Sequence, residues 1–181
     1  MSTRYFGQPI RRTEDPRLLR GEALFVDDVQ RPGLLHAAVL RSPHAHAHLL
    51  GLDAAAARRH PGVVAVYTAE DLGALNRPGP LLVPPPPIDG LVFHTRTGRP
   101  LATGTVRHVG EAVAVVVAES RYVAEDALER IDVAYDPLEA AVDLERALEA
   151  GAPRVHADLE SNLAAHVVQQ KGDYEAARAE A

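Results

Sequence analysis

A run of seven apolar residues, AVAVVVA at positions 112–118, constrains the fold more than any other feature of this sequence. Valine is β-branched and favours strands, and a strand that is apolar on both faces must be covered on each side. The run therefore predicts the central strand of a sheet. It is far shorter than the roughly 20 apolar residues that span a bilayer.

The segment after this run predicts a helix and another strand. Ser120 precedes RYVAEDALERI, where apolar residues recur at the helical spacing, at Ala124, Ala127, Leu128 and Ile131. IDVAYDPL then has the length and composition of a strand. These elements in this order predict a β-α-β unit.

Two earlier segments, LLHAAVLRS and HAHLLGLD, also have strand length, and Ser42-Pro43 between them is typical of a turn. We therefore expect a β-hairpin that carries the histidines of RSPHAHAHLL on its second arm. A further strand is expected for VVAVYT, directly after the helix-ending sequence His60-Pro61-Gly62.

Short helices are predicted wherever a capping side chain precedes residues that favour helix. A helical turn in TEDPRLLRG should end at Gly21, and the tail DYEAARAEA should form a helix after Asp173. The remaining candidate caps are Thr13, Asp53, Thr68 paired with Asp71, and Asp143.

Residues 76–100 form a proline-rich loop centred on RPGPLLVPPPPIDG. Successive prolines favour polyproline II and remove backbone donors. We expect a long excursion over a surface that acts as a linker or clamp. A proline tract also suits an SH3-like partner, but no other feature of the sequence indicates one.

Composition sets limits on function. The net charge of −6 argues against a nucleic-acid surface, and the absence of cysteine excludes disulfides, thiolate zinc sites and iron–sulfur ligation by this chain. The start, MSTRYFGQPIRR, lacks the apolar core of a signal peptide, so we expect a soluble cytoplasmic chain with no membrane segment. No GxSxG, phosphate-binding glycine loop or HExxH motif is present.

Two clusters of polar residues could suggest cation sites. In a strand, His44, His46 and His48 would share one face, a geometry that permits a metal site without requiring one. Asp27 and Asp28, with Glu14 and Asp15, could suggest paired acids. Their spacing does not resemble an EF-hand, and turn or helix-terminus roles explain them better.

Five blocks carry a resemblance to a known family: RTEDPRLLRGEALFVDD, RPGLLHAAVLRSPHAHAHLLGLD, HPGVVAVYTAEDL, VRHVGEAVAVVVAES and AEDALERIDVAYDPLEAAVD. In this order they resemble the start of the molybdenum-binding large subunit of the xanthine dehydrogenase, aldehyde oxidase and aerobic carbon monoxide dehydrogenase family. The resemblance implies an α+β chain whose main part is an α/β-hammerhead domain, a mixed sheet with a β-hairpin and packed helices.

The implied organisation has three parts. Residues 1–14 form an extended arm, residues 15–145 form the hammerhead domain with the proline-rich loop, and residues 146–181 form a linker and the incomplete start of a molybdopterin-binding domain. A terminal helix that merely caps the fold is the alternative for the tail.

The resemblance also implies which residues matter here. The family's pterin-contacting loops and catalytic glutamate lie downstream, so no catalytic, cofactor-binding or metal residue is assigned to this chain. In relatives the Arg-Ser and Ala-His-Ala of RSPHAHAHLL recur while His44 and His48 vary, which disfavours a metal site. The candidate interface or structural residues are Arg41, Ser42, His46, Gly110 and Glu111.

Glu111 allows two interpretations. As a carboxylate at the start of an apolar strand, it should be bonded to backbone amides or to an arginine, either as a structural cap or as part of a wall facing the molybdenum domain.

The expected function is that of a structural domain of a molybdenum hydroxylase, an oxidoreductase acting on a purine, aldehyde or carbon monoxide type of substrate. The segment would shape the active-site entrance and be inactive alone. The complete subunit would bind molybdenum-molybdopterin in its dinucleotide form, and partner subunits or domains would carry 2Fe-2S clusters and often FAD. The alternative is a free-standing interaction module that docks on a separately encoded molybdenum subunit.

Overall fold

The computed structural model describes residues 5, 7–88, 90–168 and 171–180. The chain divides into two compact units, one ending at Leu34 and the other starting at Leu35. None of the helices formed by these described residues is long and apolar enough to cross a membrane.

The first unit contains the short helix α1 (Asp15–Leu19) and a 3-10 turn (Val26–Asp28). Pro16 lies in the first turn of α1, and Gly21 follows the helix with a left-handed φ of 71°, both as predicted. The prediction that Thr13 caps α1 is wrong. The helix starts at Asp15, so the capping position belongs to Glu14, which makes no capping hydrogen bond through its side chain.

The acidic residues of this unit have local roles. The Asp28 carboxylate accepts a hydrogen bond from the Phe25 amide at 3.0 Å, which confirms its role as a turn carboxylate. Glu14 lies 3.6 Å from the guanidinium of Arg17, and Asp15 lies 3.9 Å from that of Arg12.

The second unit holds all the strands found among the described residues. They are β1 (His36–Arg41), β2 (Ala47–Asp53), β3 (Val63–Thr68), β4 (Val92–Phe93), β5 (Thr105–Val106), β6 (Ala112–Ala118), β7 (Asp132–Pro137) and β8 (Ala165–His166). The helices of this unit are α2 (Ala55–Arg58), α3 (Ala69–Leu72), α4 (Arg121–Leu128) and α5 (Tyr174–Glu180), with 3-10 turns at Gly73–Leu75 and Arg146–Leu148.

These strands form two three-stranded antiparallel sheets and one small pair. The first sheet has the order β1-β6-β3 and the second β5-β2-β7, while β4 pairs with β8. The valine-rich run is β6 and occupies the centre of the first sheet, which confirms the prediction of a central strand.

The predicted β-hairpin is wrong. Both strands form, but β1 pairs with β6, and β2 pairs with β5 and β7 in the other sheet. The chain therefore passes from the first sheet to the second at Ser42-Pro43. The β-α-β order of β6, α4 and β7 is also present, yet β6 and β7 lie in different sheets.

One face of β6 is buried in an apolar cluster, and the other face is buried only near its start. Ala114, Val116 and Ala118 are fully buried in a cluster with α2 and α4, whereas Val113 lies in a second cluster with residues of β2 and β5. Small residues allow close approach between helix and sheet. A Cβ on Gly62, which has a φ of 84°, would lie 3.2 Å from a methyl group of Val123 in α4.

Most of the predicted caps are confirmed. Ser120 accepts a hydrogen bond from the Val123 amide at 3.2 Å, and Thr68 and Asp71 form a reciprocal capping box on α3. Asp53 binds the Ala55 amide at 2.8 Å, although the capping position is Ala54. Asp143 accepts two amide hydrogen bonds, but only a 3-10 turn follows it.

A single buried side chain joins the two ends of the proline-rich loop. Asn76, only 6% exposed, donates to the Leu101 carbonyl at 3.0 Å and accepts from the Leu101 amide at 3.0 Å. It also donates to the Thr103 hydroxyl at 3.0 Å. The loop is thus fastened at its base.

The tail contains the two-residue strand β8, which pairs with β4 inside the proline-rich loop. The predicted helix after Asp173 is confirmed as α5, and the Asp173 carboxylate accepts from the Ala176 amide at 3.0 Å.

Candidate functional site

Ser42 lies at the corner where the chain leaves β1, and it is the most deeply buried polar residue there, at 2% exposure. Its amide donates to the Glu111 carbonyl at 2.9 Å, and its carbonyl accepts from the Gly110 amide at 2.8 Å. Its hydroxyl satisfies both the carbonyl and the amide of His44, at 3.0 and 3.1 Å. Every polar group of Ser42 is therefore engaged.

The same corner holds three more of the predicted residues. Arg41 is exposed, and its guanidinium donates to the Gly110 carbonyl at 2.8 Å. Gly110 has a φ of 89°, in the left-handed region that favours glycine. Hydrogen bonds thus bring Arg41 and Ser42 next to Gly110 and Glu111, although Arg41 and Gly110 are 69 residues apart in sequence.

Glu111 caps the loop that precedes β6. Its carboxylate accepts a hydrogen bond from the Arg107 amide at 2.5 Å and lies 3.7 Å from Nδ1 of His108. The bond to a backbone amide is the one expected of a half-buried carboxylate, because such a group must find donors. This geometry matches the structural-cap interpretation.

His46 is held apart from this corner. Its Nδ1 lies 2.9 Å from the carbonyl oxygen of Glu139, and its own carbonyl accepts from the Leu138 amide at 2.9 Å. His46 therefore fastens the chain to the segment that follows β7.

The other two histidines of the row contact different neighbours. The His44 ring lies 4.9 Å from the ring of Tyr135 at a tilted angle, and Nδ1 of His48 lies 3.4 Å from the Thr105 hydroxyl. Burial raises the pKa of Tyr135, against a smaller opposite effect of its hydrogen bond to Ser42. Among the described residues, no three His, Cys, Asp or Glu side chains form a group that could hold a metal ion.

The structure also contains a cleft of about 740 Å³ that sequence reasoning missed. It brings the proline-rich loop together with the segments on either side of β5 and with the tail. Its lining residues are Pro78, Thr95, Arg96, Thr97, Gly98, Arg99, Ala102, Thr103, Arg107, His108, Glu111, Val155 and His156. No short motif identifies it, because the lining residues come from segments up to 78 positions apart, from Pro78 to His156.

The pKa of His156 depends on burial and on the charged groups near this cleft. Burial lowers the pKa of His156, and the positive charges of Arg107 and Arg96 lower it further, while Asp158 and Glu111 act in the opposite direction. Nε of Arg107 and Nδ1 of His156 are buried and have no hydrogen-bond partner.

Comparisons with known proteins agree on one family. Residues 20–139 match the family model described as aldehyde oxidase and xanthine dehydrogenase, a/b hammerhead domain. The chain is 40% identical over 153 residues to the carbon monoxide dehydrogenase large chain of Afipia carboxidovorans, covering 84% of this chain and 18% of that one. It is 36% identical to the nicotine 6-hydroxylase large subunit of Paenarthrobacter nicotinovorans, covering 80% and 17%.

Solved structures give the same result. Quinoline 2-oxidoreductase from Pseudomonas putida 86 superposes with a TM-score of 0.72 at 40% identity, over 84% of this chain and 19% of that one. A Cu,Mo-CO dehydrogenase superposes with a TM-score of 0.71 at 37% identity, over 86% and 18%. The chain spans about a fifth of the length of these relatives.

Proposed function

Because this chain belongs to the aldehyde oxidase and xanthine dehydrogenase family, whose a/b hammerhead domain it contains, we propose that it is the N-terminal structural domain of a molybdenum hydroxylase large subunit. In this proposal the complete subunit is an oxidoreductase that hydroxylates a carbon centre. The segment shapes the entrance to the active site and provides contacts to neighbouring domains and subunits.

The match over residues 20–139 carries the proposal, because it includes both three-stranded sheets and helices α2 to α4. The aligned relatives are named as large chains or large subunits of oxidoreductases. The match begins inside the unit that ends at Leu34, so the family domain extends across the boundary between the two compact units.

The corner around Ser42 suits a scaffold. Three hydrogen bonds link the end of β1 to the loop before β6, two between backbone groups and one from the Arg41 side chain. Exposed groups surround this rigid base, including the side chains of Arg41, His108 and Val109. We expect these groups, with His46 and the Gly110-Glu111 turn, to contact the rest of the subunit or a partner.

The division of the chain follows from the same proposal. Residues 1–14 form an arm, residues 15–145 the hammerhead domain, and residues 146–181 a linker with the start of a molybdopterin-binding domain. The family match, which ends at residue 139, supports the second boundary.

Among the described residues no group of three His, Cys, Asp or Glu side chains could hold a metal ion, and the sequence has no cysteine. We propose that other parts of the complete subunit hold molybdenum-molybdopterin in its dinucleotide form and carry out the reaction. When bound, this cofactor supplies the oxidation chemistry, and the protein supplies position and electrostatics.

The proposed partners are the remaining molybdopterin-binding domains, an iron–sulfur subunit with 2Fe-2S clusters, and a subunit or domain that carries FAD. Relatives named as subunits of larger assemblies support this part, among them the 6-hydroxypseudooxynicotine dehydrogenase complex subunit gamma of Paenarthrobacter nicotinovorans. The substrate class and a cytoplasmic location stay predictions.

Purification from the native host with an antibody against this segment tests the proposal. We expect the antibody to capture an assembly that contains molybdenum and iron by mass spectrometry of the metals. Denaturing gel electrophoresis then separates the two forms of the hypothesis: a long polypeptide that includes these residues supports the domain, and a separate short chain supports the docking module. A captured protein without molybdenum contradicts both.

A further inference from the structure

We propose that the cleft between the proline-rich loop and His156 binds a small organic oxyanion that carries at least two negative charges on phosphate or carboxylate groups. This inference goes beyond the scaffold role and does not depend on it, because it rests on charge and geometry within the described residues alone.

The charge of the cleft is opposite to that of the chain. The chain has a net charge of −6, whereas the residues that line the cleft include Arg96, Arg99 and Arg107 against one described acidic residue, Glu111. The lining therefore has a formal charge of +2. Asp158 lies outside the lining and forms an ion pair with Arg96.

Two of these guanidinium groups donate to backbone carbonyls. The hydrogen bond of Arg99 goes to the Asn76 carbonyl at 2.6 Å, and that of Arg107 goes to the Thr105 carbonyl at 3.1 Å. Carbonyl oxygens position a cation without neutralising it. Some arginines elsewhere are paired with carboxylates, such as Arg58 with Asp71 at 2.6 Å and Arg20 with Glu22 at 3.0 Å.

The one acidic group in the lining is already engaged. The Glu111 carboxylate accepts from the Arg107 amide and lies near His108, so it faces donors of its own. Burial lowers the pKa of His156, and the positive charges of Arg107 and Arg96 lower it further, each with a larger effect than the opposing charges of Asp158 and Glu111.

Hydrogen bonds within the chain hold the loop of the cleft in place without a bound ligand. Asn76 fastens the base of the loop through Leu101 and Thr103, and the Thr97 hydroxyl donates to the Gly79 carbonyl at 2.5 Å. Such preorganisation reduces the entropy lost on binding. The volume of about 740 Å³ lies within the range typical of small-molecule pockets, about 300–1,000 Å³, which favours an organic anion over a bare ion.

Calorimetric titration of the 181-residue chain with pyrophosphate and, separately, with citrate tests this site. Guanidinium groups bind both phosphate and carboxylate, and the two probes show which one this cleft prefers. We expect saturable sub-millimolar binding of at least one probe to a single site. The absence of saturable binding of both probes would overturn the proposal.

Three charge variants separate a specific site from general electrostatics. Arg99→Gln should weaken binding about tenfold, because a hydrogen bond to a charged group is lost. Glu111→Gln should strengthen binding about threefold, because its amide oxygen still accepts from the Arg107 amide while the negative charge is gone. Arg130→Gln removes the same charge as Arg99→Gln from an exposed position outside the cleft and should leave binding unchanged.

Equal weakening by Arg99→Gln and Arg130→Gln contradicts the proposal, as does a Glu111→Gln variant that binds no better than the native chain. Glu111→Gln also keeps the test decisive if Arg99→Gln fails to fold. Binding of an acidic peptide without binding of either small probe would likewise exclude a small-molecule site.

His156 provides a second readout. A bound anion offsets the positive charges of Arg96 and Arg107, so saturation with the preferred probe should raise the pKa of His156. The imidazole resonances, assigned with a His156→Gln variant, follow this pKa in an NMR titration. A pKa of His156 that stays constant at saturation would place the bound anion elsewhere.

Discussion

At the scale of single residues, the buried Ser42 side chain holds the chain at the end of β1 through its hydroxyl. It satisfies the amide and the carbonyl of His44, while its backbone bonds to Gly110 and Glu111. The sequence indicated Ser42 as an interface or structural residue, but its burial and partners come from the folded chain. A substitution that removes only the hydroxyl leaves the backbone contacts in place. Its effect on the stability of the protein therefore tests the structural part of that prediction.

We expect Ser42→Ala to lower the free energy of unfolding by about 1–3 kcal/mol, because it leaves the half-buried amide and carbonyl of His44 without this partner. Urea denaturation measures this loss. Ser161→Ala is the matched control, since the exposed Ser161 hydroxyl accepts one hydrogen bond from the Leu163 amide and its loss should cost less than about 0.5 kcal/mol. Equal effects of the two variants would mean that the corner does not contribute as described.

Asp71 gives a prediction for pH dependence. Hydrogen bonds from the side chain and backbone of Thr68, and then the charge of Arg58, lower the pKa of Asp71 below the ordinary value of an aspartate. A lowered folded-state pKa means that the charged form stabilises the fold. This stabilisation is complete above the unfolded-state pKa and is lost as the pH falls through the folded-state pKa.

The Asp71→Asn variant should therefore be less stable than the native chain at pH 7, and the difference should shrink below about pH 4. Asparagine keeps an oxygen that can accept from the Thr68 amide, so the comparison isolates the charge. Denaturant unfolding at several pH values measures it. A stability difference that is constant from pH 7 to pH 3 would contradict the electrostatic role.

At the scale of elements, the hydrogen bonds of Asn76 hold the proline-rich loop at its base. The sequence predicted an excursion that acts as a linker or clamp, and no feature of composition marked Asn76 as special. The structure buries Asn76 against Leu101, itself 1% exposed, so the excursion leaves and re-enters the fold at one point.

Asn76→Ala should destabilise the chain by about 2–4 kcal/mol, because the buried amide and carbonyl of Leu101 both lose their partner. Asn76→Asp is the informative companion: it keeps an acceptor for the Leu101 amide and loses the donor to the Leu101 carbonyl. Hydrogen exchange of the Leu101 amide should accelerate in the alanine variant and less in the aspartate variant. Unchanged exchange in both would exclude Asn76 as the fastening residue.

The pairing of elements is where prediction from sequence failed. Strand length and apolar, β-branched composition located β1, β2, β6 and β7, and those strands are present. These features could not identify partners, because they specify which segments form strands and not which strand lies beside which. The hairpin is wrong for this reason.

At the scale of the whole molecule, the chain exposes large apolar side chains in the segment that follows β7. Val142 is 80% exposed, Leu144 is 89% exposed, and Leu148 is 57% exposed. In the proposed function, neighbouring domains would cover such residues. Contiguous apolar surface left uncovered promotes association.

The chain in solution should therefore self-associate as its concentration rises, by light scattering. The double variant Val142→Gln and Leu144→Gln should reduce this association, because it removes exposed apolar area. Glu145→Gln, in the same segment, changes charge without changing apolar area and should not reduce it. A native chain that stays monomeric at high concentration would count against a role as a contact surface.

The amino-acid sequence by itself determined the local elements: the central valine strand β6, the Ser120 cap of α4, the Thr68 and Asp71 capping box, and the family resemblance that the comparisons confirm. These features depend on residues within a few positions of one another. Only the tertiary structure decided the two-sheet pairing, the corner of Arg41 and Ser42 with Gly110, and the arginine-lined cleft. Each joins residues far apart in the chain, and such contacts form where the packing of all elements places their donors, acceptors and charges.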